Sequence, residues 1–152
     1  MASLPPEDQP DTIDLGPVKG IPVQYEDDPR RHEESQAWST ARKKAQAMHS
    51  PDDLLRGLGD DDWRVRFEVV DRLIARGSGD PRTLLALLAA ATSDSSSEVR
   101  ECVLMRLHRF DAATVRPVLH AAANDEQPEV RWCARFSLNQ LGEHWELEGG
   151  PE

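Results

Sequence analysis

The chain has 152 residues, 38% of them hydrophobic, and 28 acids against 18 bases give a net charge of −10. That is about one domain's length, with apolar content suited to a thin, stacked core. The acidity argues against a general nucleic-acid binder, which needs an excess of Lys and Arg on its binding face.

No apolar run approaches the roughly 18 residues of a membrane span. No basic region followed by an apolar one opens the chain, so a soluble, cytoplasmic protein is expected. Cys102 and Cys133 lack a CxxC spacing and read as reduced, half-buried thiols.

Residues 1–32 hold seven acids, three bases and six prolines, a composition that disfavours helix and collapse alike. Ile13, Leu15, Val18, Ile21, Val23 and Tyr25 punctuate this acidic arm. It is therefore either a disordered leader or an extended strap that lays those side chains on the repeats or on a partner. Residues 33–48 then combine strong helix formers with an apolar stripe of Ala37, Trp38, Ala41, Ala45 and Met48, which predicts a helix capping whatever follows. Ser50-Pro51-Asp52-Asp53 reads as an N-cap with proline at the first helical position, opening a short helix that stops at Gly59.

The pattern now repeats. Asp60-Asp61-Asp62-Trp63-Arg64-Val65-Arg66, Asp94-Ser95-Ser96-Ser97-Glu98-Val99-Arg100 and Asp125-Glu126-Gln127-Pro128-Glu129-Val130-Arg131 each set an acidic turn before a Val-Arg pair. The valines stand 34 and 31 residues apart, with a small or branched apolar residue at plus four and leucine at plus eight, which is helical spacing at a solenoid period. Helices are predicted over 62–76, 97–109 and 128–141. Between them, one opens at Asp80-Pro81 after Gly77-Ser78-Gly79, and another covers 112–123. Residues 143–152 read as an acidic tail.

A short first helix, an acidic turn and a second helix opening with Val-Arg resembles the HEAT repeat, most closely the short variety of phycobilin-lyase-type proteins. The resemblance implies an all-α, right-handed α-solenoid of about three helix pairs, 51–76, 80–109 and 112–141, within a repeat domain 33–142. It also implies a ladder between neighbouring units, with Asp60 or Asp62, Asp94 and Asp125 as acids and Arg66, Arg100 and Arg131 as bases. HEAT arrays include adaptors, enzyme subunits, lyases and a few DNA glycosylases.

Units this thin must stack to bury their apolar faces, which aligns the second helices on one surface. Positions two and six after each valine lie one turn apart on a single face: Phe67 and Asp71, Glu101 and Met105, Trp132 and Phe136. Four of the six are aromatic or apolar, the composition of an interface core. Flanked by Arg64 and Arg135, this row is the expected binding surface for a peptide or helix of another protein. The alternative is that a small rotation buries the rings.

No phosphate loop, HExxH pair or GxSxG elbow is present, and the histidines are scattered, although His108 and His120 are spaced to approach one another. No catalytic, cofactor-binding or metal-binding residue is assigned. The expected function is a non-catalytic interaction module with a protein partner, no nucleic acid and no membrane. The alternatives are an acidic inhibitor or immunity-type protein that neutralises a basic partner, and a HEAT-type DNA glycosylase or lyase subunit.

Overall fold

The computed structural model describes residues 29–77 and 79–147. Among them are seven α-helices and no strand: α1 Pro29–Gln46, α2 Pro51–Gly57, α3 Trp63–Arg76, α4 Pro81–Ser93, α5 Ser97–Leu104, α6 Ala112–Ala122 and α7 Pro128–Gln140. A 3-10 turn, Leu107–Arg109, follows α5. The apolar positions noted between Ile13 and Tyr25 lie outside the described residues.

The chain divides into two compact units, 1–36 and 37–152. In the first, the described residues are the exposed opening turns of α1, where His32 and Gln36 are hydrogen-bonded at 3.1 Å. The helix opens at Pro29 rather than at the expected 33, with a residue whose fixed φ suits a first helical position.

Local chemistry starts these helices. The side chains of Ser50, Asp62, Asp80, Ser96 and Asp111 each accept a backbone N–H of the first turn that follows. Gly77 and Gly142, at φ +77° and +93°, take the left-handed backbone beyond α3 and α7, where a β-carbon would be strained. Gly57 serves a different need: a β-carbon there would stand 2.8 Å from Val69 of α3, so the close packing of α2 on α3 requires its absence.

The pairs α2–α3, α4–α5 and α6–α7 stack so that first helices α2, α4 and α6 neighbour one another in one layer and second helices α3, α5 and α7 in another. Val65, Val99 and Val130 are all buried in the shared core. Two bonds recur in all three turns. Asp60, Asp94 and Asp125 each accept the N–H two residues on, at 2.9 Å. Arg66, Arg100 and Arg131 each donate to the backbone carbonyl six residues back, at 2.7, 2.6 and 2.8 Å.

The expected ladder forms only in part. Arg66 places Nε and Nη2 on the two oxygens of Asp94 at 2.9 and 3.0 Å, a bidentate rung between the first and second pairs. Lys44 of α1 holds Asp60 at 2.5 Å and keeps that carboxyl below its usual range, so the capping helix supplies the rung that a preceding unit would. Arg100 makes no such bond to Asp125 and donates only to the turn of its own unit.

The middle second helix departs from expectation. Instead of running from 97 to 109, α5 stops at Leu104, whose carbonyl accepts the hydroxyl of fully buried Ser137 from α7. The 3-10 turn then brings residues three apart to one side, directing Leu107 and Phe110 into the core. Helix starts 81 and 97, like 112 and 128, are 16 residues apart, whereas 63 to 81 is 18 and 97 to 112 only 15. The stretch from α5 to α6 is thus three residues shorter than that from α3 to α4, and α5 has 8 residues against 14 in α3 and 13 in α7, a loss of about one and a half turns.

Beyond α7 the acidic tail is tied back to the helices. Asn139 and Trp145 exchange side-chain and backbone bonds at 2.6 and 2.9 Å. Glu143 is held by Arg116 at 3.2 Å and His120 at 2.8 Å.

Candidate functional site

Each second helix contributes to one face, because residues two to three and six to seven positions beyond the register valine share a helical stripe. Phe67 of α3, Glu98, Glu101 and Cys102 of α5, Met105 and Arg106 just after it, and Trp132 and Cys133 of α7 line a single open groove of about 350 Å³. All but the two cysteines keep exposed surface. The floor is aromatic and thioether. The rim carries carboxylates.

The aromatic groups are held from behind. Trp132 stacks on Phe136 with centroids 5.5 Å apart and planes 13° from parallel, and Phe136 meets His108 edge-on at 6.0 Å. At the other end, Trp38 of α1 meets both Phe67 and Trp63 edge-to-face, at 5.4 and 5.3 Å. Such pairs fix ring orientation and add about 0.5–1.5 kcal/mol each beyond the area they bury.

Electrostatically the groove is unbalanced. Burial pushes the Glu101 carboxyl above its usual range, and the nearby charges of Glu98 and Glu129 push it further. Glu98 instead lies below its usual range, held by backbone and serine hydrogen bonds. Burial raises the Cys102 thiol to about 11 and the Cys133 thiol to about 12, so neither is a thiolate at neutral pH and neither is poised as a nucleophile or metal ligand.

Of the eight residues expected to form the binding surface, four meet at the groove: Phe67, Glu101, Met105 and Trp132. Phe136 supports Trp132 from behind. Asp71 is ion-paired with Arg106 and is not a free acid. Arg64 lies over the Trp63 ring at 4.9 Å. Arg135 braces the C-terminal segment rather than flanking the row: it donates to the carbonyl of Ala123 at 3.2 Å and lies over Trp145 at 5.4 Å.

Four lining residues escaped the sequence reading: Glu98, Cys102, Arg106 and Cys133. The signal was there in the shared register of the two cysteines, three after each valine. His108 and His120 belong to separate clusters, the first beside Ser137 and Phe136, the second on Glu143 and Trp145.

Residues 84–148 match the family model described as HEAT repeats. Those residues carry HEAT repeats. The match spans the second and third HEAT pairs and the C-terminal segment, and the equivalent turn bonds of Asp60 and Arg66 place α2–α3 in the same series. HEAT repeats generally mediate protein–protein interaction and typically serve as non-catalytic scaffolds. No curated protein and no solved structure matches the chain. Among the described residues, no helix is long and apolar enough to cross a membrane.

Proposed function

We propose that this protein is a non-catalytic interaction module that holds a segment of a partner protein in the groove of Phe67, Glu101, Met105 and Trp132. The observation that carries this reading is the groove itself: three second helices each present a large apolar side chain to one partly exposed floor. Two of the three are fixed in orientation by further rings. Rigid aromatic and methionine side chains at the centre of a patch are what protein interfaces use as anchors. A cytoplasmic setting suits its two free thiols.

The double variant Trp132→Ala and Phe136→Ala should lose the partner that co-purifies with the wild-type protein, with thermal unfolding confirming that it folds. Met105→Ser tests the same floor with less disturbance. Leu85→Ala, an exposed position on the first-helix layer, should keep the partner. Capture unchanged by all three would show that the surface is wrongly assigned.

The net charge of −10 favours a second reading, an acidic inhibitor that occupies a basic toxin or nucleic-acid-binding partner. Salt separates the two. An apolar floor keeps its partner at high ionic strength, whereas pure charge mimicry fails as the screening length falls from about 10 Å to about 3 Å between 0.1 and 1 M. A glycosylase or lyase reading draws less support, since Asp71 is occupied by Arg106 and the groove lining sets two acids, Glu98 and Glu101, against that one base.

A further inference from the structure

Resting on the groove as the binding surface, we propose that its occupant is a cationic amphipathic segment of another protein. The segment's apolar side lies on Phe67, Met105 and Trp132, and a lysine or arginine sits against Glu98 and Glu101. Several acids on this layer already have partners. Asp94 is taken by Arg66, Asp71 by Arg106, Glu68 by Arg42 at 3.5 Å and Asp60 by Lys44.

Glu101 differs from all of these. Among the described residues no base pairs with it, although it stands half-buried in the groove wall one turn from Glu98, which is bonded to serine hydroxyls rather than to a base. A carboxylate in that position is desolvated and repelled by Glu98 and Glu129, which the attraction of Arg100 offsets only in part. An arriving cation relieves both penalties, and an arriving carboxylate deepens them. The groove therefore selects the sign of its partner as well as its apolarity.

Two other occupants fail on charge. Residues 1–28 carry seven acids and a single lysine, and a second copy of the chain brings a net charge of −10. Either would set acid against acid. Three second helices at interaxial distances of roughly 8–10 Å make a face about 20 Å across, which a helix of roughly fourteen residues spans at about 1.5 Å per residue.

The test uses the full chain and two fluorescently labelled synthetic peptides of that length, with the same helical leucine stripe and either lysine or glutamate at every polar position. In anisotropy titrations the lysine peptide should bind and the glutamate peptide should not. Glu101→Gln should weaken the lysine peptide about tenfold and flatten its salt dependence, while Asp52→Asn, an equal charge loss on the first-helix layer, should leave it unchanged. Equal weakening by Asp52→Asn would reduce the attraction to net charge and overturn the proposal, as would equal binding of both peptides. If Met105→Ser weakens binding and Glu101→Gln does not, the surface reading stands and the cationic partner falls. If neither variant matters, both fall.

Discussion

At the joint between the first and second helix pairs, Arg66 forks onto Asp94, and the two side chains are 11% and 6% exposed. At the next joint, Arg100 occupies the same register position and turns back to its own unit's carbonyl, while Asp125 closes only its own turn. What crosses there instead is the hydroxyl of Ser137, bonded to the carbonyl that α5 leaves open where it breaks. Two joints of one repeat are thus held by different chemistry. Two bonds recur in every turn, because their partners lie within six residues. The bonds between units depend on where a neighbouring helix happens to end.

The largest expected effect separates the joints directly. Arg66→Ala strips a nearly buried carboxylate of its counter-charge, which costs about 3–5 kcal/mol, whereas Arg100→Ala loses a carbonyl hydrogen bond worth about 1 kcal/mol. Denaturant unfolding of the two variants checks this, and equal losses would erase the distinction between the joints. Next in size, Ser137→Ala leaves the Leu104 carbonyl unpaired in the core and should cost about 1–3 kcal/mol. A loss below that range would mean that packing alone, rather than this bond, holds the second joint.

The smallest effect lies on the exposed side of the second joint. Burial makes ionised Glu101 less favourable in the folded protein than in the unfolded chain, so its folded-state pKa stands above its unfolded one. Its contribution then falls as pH rises through the carboxylate range and stays unfavourable at neutral pH. Glu101→Gln should therefore raise stability slightly at pH 7, by under about 0.5 kcal/mol as for substitutions near a surface. The gain should vanish in acid, where the wild-type carboxyl is protonated. A loss of stability at pH 7 would show that Glu101 has a partner inside the fold and is not held ready for one outside it.

Much of this was legible beforehand. Ser50-Pro51, Asp80-Pro81 and Gly142 marked helix ends to within a residue or two, and the three Val-Arg pairs set a register that the core obeys. The groove was half legible: Phe67, Glu101, Met105 and Trp132 came from that register, but Glu98 and Arg106 entered from adjoining stripes. The contacts of Arg135 were not legible, because the Ala123 carbonyl comes from the end of α6 and Trp145 from a C-terminal segment that reads as a plain acidic run.

The sequence by itself determined the number of helix pairs, the starts of their helices and the inward face of each second helix. Capping, proline placement and apolar periodicity act within about one or two turns of backbone. Only the tertiary structure decided that α5 breaks at Leu104, that Arg66 holds Asp94, and that among the described residues no base pairs with Glu101. Each of those outcomes is settled by groups brought together from distant parts of the chain, and local pattern carries no record of their distances.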